Sequence, residues 1–151
     1  MARIVVASAE RTVDAPADEV YRHLADLQLH ARFLPPPFYD FRVEEDGVGA
    51  GGVARFKIDF AGGVRELRMR VTEPQPGRTL VHTDTGGSGL VTTFTVTPRG
   101  AQALVNITSR FHGETGVAGL VERIIAPRRL HRVYGKQLAR LAAHTREQRA
   151  A

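Results

Sequence analysis

A chain of 151 residues with 42% hydrophobic content has the length and apolar material for one domain with its own core, which excludes a disordered chain. It contains no cysteine, so disulfides and thiolate chemistry are excluded. Its formal charge of +5 is unevenly placed: from Gly116 onward eight basic residues stand against Glu122 and Glu147, a net +6 that leaves the remainder near −1. No apolar run approaches the roughly 18 residues of a membrane span. Residues 1–10 lack the basic start and cleavage site of a signal peptide, so a cytoplasmic location is expected.

Arg3 to Asp14 reads as a strand, with Ile4 and Val6 on one face and Val5, Ala7 and Val13 on the other. A helix opens next, because Pro16 has the fixed φ of a first-turn residue and Asp18 and Glu19 suit the positive end of the helix dipole. Val20, Leu24 and Leu27, with Tyr21, follow at helical spacing. Leu29 to Phe33 reads as a second short helix, stopped by Pro35, Pro36 and Pro37, which have no amide protons to give. Strands then succeed one another. Phe38 to Glu45 is followed by Val53 to Phe60, where Ala54, Phe56, Ile58 and Phe60 alternate with Arg55, Lys57 and Asp59. Gly62 and Gly63 supply the positive φ of a hairpin. Val64 to Glu73 returns, Pro74 to Gly77 turns, and Arg78 to Asp84 leads into the loop Gly86 to Gly89. Leu90 to Thr97 and Ala101 to His112 make a further hairpin. Gly116 to about His144 reads as a long helix on the spacing of Val117, Leu120, Val121, Ile124, Tyr134, Leu138 and Leu141. Pro127 inside it predicts a kink, and Thr145 to Ala151 a frayed tail. Strands with one apolar and one polar face predict an antiparallel sheet with one wet side, and the long helix is the cover its apolar face needs. The expected class is α+β, one domain over residues 1–151.

Several local sequences resemble a known family. Val13-Asp14-Ala15-Pro16-Ala17-Asp18-Glu19-Val20-Tyr21 resembles the opening strand-to-helix junction of the START-like superfamily (also SRPBCC, or birch-pollen-allergen-like). Asp26 and Phe33-Leu34-Pro35 are similar to its second short helix and the turn after it. Gly49 to Phe56 resembles its G-x-G-x-x-x-x-F lead into the third strand, and Leu130, Tyr134, Leu138 and Leu141 its last helix. Within the superfamily the chain is most similar to the polyketide cyclase/dehydrase and lipid-transport group, which includes quinone-binding proteins. The resemblance implies a helix-grip fold: a curved antiparallel sheet of about seven strands wrapped around the long C-terminal helix. It also implies an apolar cavity between sheet and helix. It implies no catalytic residue, because the group has no catalytic motif common to its members.

The expected ligand pocket is the apolar wall of Phe56, Ile58, Phe60, Leu67, Met69, Leu80, Phe94, Ile107 and Phe111, closed by Leu120, Ile124 and Tyr134. Three polar residues fall in phase with that wall: His82 between Leu80 and Asp84, Thr92 between Leu90 and Phe94, and Ser109 between Ile107 and Phe111. They bind one another, a water or a ligand. His82 reads either as a general acid–base in an aldol-type ring closure or as a histidine satisfied by a neighbouring hydroxyl. A Ser109–His82–Asp84 triad can be assembled on paper, but no nucleophile elbow surrounds the serine. Phe33, Leu34, Pro35, Phe38 and Tyr39 concentrate apolar and stiff residues in one connection and read as the pocket mouth or as a plug at that end of the sheet.

No metal is expected: the six histidines include no i, i+4 pair and no cysteine assists them. No cofactor is expected either, since the glycine-rich stretches lack the lysine and serine of a phosphate loop. Arg128, Arg129 and Arg132 on the basic helix read as a solvated face or as a docking surface for an acidic protein or an anionic membrane. Nucleic acid is not expected, because no motif or aromatic interleaving accompanies the charge. Three functions remain open: binding a lipid, quinone or polyketide-like molecule; a metal-free cyclase/dehydrase-like enzyme using His82, Thr92 or Ser109; and an interaction module built on the basic helix. Monomer and homodimer are both compatible with the sequence.

Overall fold

The computed structural model describes the backbone of residues 3–45, 47–60, 63–113 and 127–150, and within these the side chains of 6–45, 47–58, 64–110 and 128–150. The expected glycine hairpin after Phe60, the helical residues Val117, Leu120, Val121 and Ile124, and the side chains of Phe60 and Phe111 lie outside the described residues.

Seven strands form one antiparallel sheet: β1 (Arg3–Val13), β2 (Phe38–Glu45), β3 (Val53–Phe60), β4 (Gly63–Gln75), β5 (Thr79–Asp84), β6 (Val91–Arg99) and β7 (Gln102–Gly113). Their order is β1-β7-β6-β5-β4-β3-β2, so the first two strands of the chain are the two edges. The connection between them must therefore cross the width of the sheet. It does so as two short helices, α1 (Ala17–Ala25) and α2 (Leu27–Phe33), and the long helix α3 (Pro127–Ala150) follows β7.

The alternation read in the sequence is the burial pattern of the sheet. Ala54, Phe56 and Ile58, then Leu67, Met69 and Val71, then Leu80, His82 and Asp84 are all buried. The opposite face is charged, and its charges pair across strands: Arg55 with Glu44 (2.7 Å) and Glu66 (2.8 Å), Arg68 with Glu44 (2.7 Å), Lys57 with Asp40 (3.1 Å). Exposed pairs of this kind contribute little stability individually, but each favours the observed register over its neighbours. Pro74, expected to begin a turn, lies inside β4. The pairing of β4 with β5 shifts between Thr72 and Gln75, so the missing proline amide falls where no ladder bond is required.

Pro16 stands in extended conformation just before α1, and Asp26 caps α2 by accepting a hydrogen bond from the Gln28 amide (3.0 Å), which starts that helix at Leu27 rather than Leu29. The described part of the long helix starts at Pro127, so the expected kink there and the turns before it lie outside the described residues. The helix runs through Ala150, past the point after His144 where fraying was expected. His144 and Thr145 are buried, the Thr145 hydroxyl bonds the Leu141 carbonyl (2.8 Å), and Arg149 reaches Glu19 of α1 (2.8 Å). The buried stripe Leu130, Tyr134, Leu138 and Leu141 faces the sheet, and each fully buried leucine contributes roughly 2 kcal/mol. No described helix is long and apolar enough to cross a membrane.

Candidate functional site

α3 begins over β1, where His131 Nδ1 donates to the Ser8 carbonyl (2.6 Å), and ends against α2 and α1. Between its middle turns, α2 and the sheet lies a cavity with about 40 Å3 open to the centre of a water-sized sphere. Its apolar wall is Leu34, Phe38, Phe56, Met69, Leu90 and Phe94; its polar groups are His30, His82, Thr92, Tyr134 and Gln137.

The polar groups are placed by register. Ser109 of β7 pairs with Thr92 of β6, Thr92 with His82 of β5, and His82 with Val71 of β4, so the three in-phase polar residues form one row across the sheet. Within that row they separate into two groups. Thr92 Oγ1 and Ser109 Oγ are 2.6 Å apart, and Ser109 also hydrogen-bonds the Tyr134 hydroxyl of α3. All three are buried, so the chain of hydroxyls satisfies itself. His82 faces the other way, toward α2. Its ring centroid is 5.2 Å from that of His30 and 4.8 Å from that of Phe94. Among the described residues nothing hydrogen-bonds the buried His82 Nε2.

His30 approaches the Gln137 amide nitrogen through Nε2 (3.3 Å). That nitrogen can only donate, so Nε2 accepts and the ring proton belongs on Nδ1. Burial holds His30 down to about 4, with the Leu24 carbonyl favouring protonation more weakly, although no hydrogen bond closes on Nδ1 among the described residues. His82 is pushed well below the ordinary histidine range by burial and then by the neighbouring His30. Both imidazoles are therefore neutral near pH 7. Burial raises the Tyr134 hydroxyl, against the hydrogen bonds from Ser109 and Thr92.

The paper triad does not form. Ser109 is taken by Thr92 and Tyr134, and Asp84 turns to the loop after β5. Its carboxylate accepts from the amides of Arg68 (3.0 Å), Gly86 (3.0 Å) and Ser88 (3.1 Å), and from the Ser88 hydroxyl (2.5 Å). Burial alone would raise this carboxyl; the donors, Ser88 foremost, bring it below the usual carboxylate range. Ser88 Oγ in turn accepts from the Leu90 amide (3.1 Å), so Asp84 shapes the loop that sets Leu90 on the cavity.

Of the expected pocket residues, Phe56, Met69, His82, Thr92, Phe94 and Tyr134 line the cavity. Ile58, Leu67, Leu80, Ile107 and Ser109 are buried in the surrounding core, and Phe60, Phe111, Leu120 and Ile124 are outside the described side chains. Of the expected mouth, Leu34 and Phe38 reach the cavity. Phe33 is instead fully buried against His30 and His144, Pro35 is buried, and Tyr39 is 41% exposed. The sequence reading missed His30, Leu90 and Gln137. His30 was detectable on the stripe Leu27, His30, Phe33, and Gln137 lies one turn beyond Tyr134. Arg128 and Arg132, with His131, border an open groove against Val6 and Ser8, while Arg129 does not line it. Among the described residues no three histidine, aspartate or glutamate side chains are grouped to hold a metal ion.

Comparison with known proteins follows the fold closely. The family model described as polyketide cyclase/dehydrase and lipid transport matches residues 5–146. The KanY protein is 29% identical, with a TM-score of 0.82 over 95% of this chain and 99% of that one. The Zhui aromatase/cyclase from Streptomyces sp. R1128 is 21% identical, with a TM-score of 0.74 over 99% and 97%. Norcoclaurine synthase from Thalictrum flavum is 17% identical, with a TM-score of 0.66 over 97% and 88%. The last two share the fold. No curated protein matches the chain.

Proposed function

Because the chain belongs to the polyketide cyclase/dehydrase and lipid-transport family, we propose that it binds a hydrophobic small molecule in the cavity between the sheet and α3. The observation that carries this reading is the cavity wall: six apolar side chains with a few converging neutral polar groups, one of which, His82, has a buried nitrogen without a protein partner among the described residues. Such composition is the usual form of a small-molecule site. The space of about 40 Å3 is far below the roughly 300 Å3 of typical ligand pockets. Binding therefore requires widening, and the partly buried Leu34 and Phe38, at the connection between α2 and β2, are the side chains placed to move. Native mass spectrometry of gently purified protein, with analysis of whatever denaturation releases, tests the reading. A released apolar compound supports it; a clean apo mass together with no saturable binding of any apolar probe rejects it.

A second reading, a cyclase/dehydrase-like enzyme, is favoured by the neutral His82 standing in the same sheet row as the Thr92–Ser109–Tyr134 hydroxyls. A neutral imidazole is the form able to take a proton from carbon next to a carbonyl, and a hydroxyl chain can return one to oxygen. On this reading His82→Ala abolishes turnover of a poly-ketone while its binding survives, and unchanged turnover removes the role.

A further inference from the structure

The charge of the cavity wall says more about its occupant than its size does. Among the described residues no aspartate, glutamate, lysine or arginine lines it. Asp84, buried on the same sheet face, has its carboxylate occupied by Ser88 and by the amides of Arg68 and Gly86. Arg140, near the rim, donates to the Leu34 carbonyl (3.0 Å) and is exposed. An ionised ligand group buried here would meet no countercharge among the described residues, and an unpaired buried charge is among the most costly arrangements a protein can hold.

The polar groups differ in what they still need. Thr92, Ser109 and Tyr134 satisfy one another, and His30 Nε2 is served by Gln137. Two cavity-wall nitrogens lack a hydrogen-bond partner among the described residues, His30 Nδ1 and His82 Nε2; the first is drawn to the Leu24 carbonyl, which leaves His82 Nε2 to an occupant. Depending on tautomer it donates or accepts. A carbonyl can only accept, whereas a hydroxyl does either, and so pairs with both forms.

We infer that the cavity selects an uncharged ligand whose buried end carries a hydroxyl (a phenol, enol or alcohol) held by His82 Nε2, and that it excludes carboxylates from that position. The inference rests on the cavity being a binding site, as proposed above, and specifies the chemistry of what enters.

Three single-ring probes of matched shape test it: toluene, 4-methylphenol and 4-methylbenzoate, titrated at pH 7.5 into the full chain and followed by protein NMR. The expected order is 4-methylphenol about 5- to 10-fold tighter than toluene, the effect of one net hydrogen bond. 4-Methylbenzoate should be weaker than 4-methylphenol by about 100-fold or more, because its charge is stranded. In His82→Leu, checked for native fold by circular dichroism, the advantage of 4-methylphenol over toluene should vanish while toluene still binds. If that variant does not fold, the ranking on the native protein remains a sufficient test. Benzoate binding as tightly as the phenol, or phenol no tighter than toluene, overturns the inference and leaves the apolar cavity standing. Saturable binding of none of the three overturns both.

Discussion

Gly49 joins the turn after β2 to α1 and β4, and replacing it with alanine should destabilise the protein through two separable causes. Its φ is +85°, a conformation that costs an L-residue about 1–2 kcal/mol. An added Cβ would also stand 2.0 Å from Glu73 Oε1. That oxygen accepts the Ala50 amide (2.8 Å), and the other carboxylate oxygen accepts the Tyr21 hydroxyl from α1 (2.5 Å). Glu73 is flexible and can swing away, so the clash is relieved by giving up these hydrogen bonds. Tyr21 keeps a long contact to the Thr79 carbonyl (3.4 Å) and its contact with the Gly77 backbone. Losing two carboxylate hydrogen bonds at a partly exposed site costs about 1–3 kcal/mol, so Gly49→Ala should lose about 2–5 kcal/mol in all. That is a large part of the roughly 5–15 kcal/mol by which domains are stable. Urea unfolding of the two single variants and the Gly49→Ala/Glu73→Ala double variant forms a cycle that separates the causes. With Glu73 already shortened, Gly49→Ala should cost only the backbone strain of about 1–2 kcal/mol. Equal costs in both backgrounds, or a total loss below about 1 kcal/mol, would refute the reasoning.

Stability should also fall with acidity in a window set by His30. Its folded pKa of about 4 lies below the unfolded value near 6.5, so the unfolded chain binds more protons between them. The contribution is complete above about pH 6.5 and is lost as pH falls toward 4, roughly 3 kcal/mol in total, and His30→Phe should reduce the fall of urea midpoints across that range, with the buried His82 supplying what remains. The Asp84 carboxyl is likewise depressed, so its contribution is complete above the unfolded value near 3.9 and lost as pH falls through the lower folded value. Asp84→Asn should cost about 1–3 kcal/mol at neutral pH and remove that acid limb from the same titration. Ser109→Ala should destabilise more than Tyr134→Phe. The first removes the central hydroxyl and leaves Tyr134 and Thr92 only their weaker mutual contact, about 1–3 kcal/mol, whereas the second leaves the Thr92–Ser109 bond intact at about 1 kcal/mol, as thermal melts of the pair would record.

The sequence alone determined which face of each strand turns inward. Alternation such as Ala54, Phe56, Ile58 against Arg55 and Lys57 repeats on strand after strand, and a period of two leaves one register of burial. By the same logic His82, Thr92 and Ser109 were legible as inward-facing polar residues before any neighbour was known. What pattern cannot carry is partnership. Phase says that a side chain points in, but which atoms it meets depends on strand register and on how a helix distant in sequence crosses the sheet. Only the tertiary structure therefore tied Ser109 to Tyr134 on α3, turned Asp84 to its own loop and so dissolved the paper triad, and brought His30 of α2 against His82 of β5. It also decided that the helix persists past His144. Thr145 is polar in sequence, yet it is buried with its hydroxyl returned to the Leu141 carbonyl, so packing overrode a composition that reads as a solvated tail.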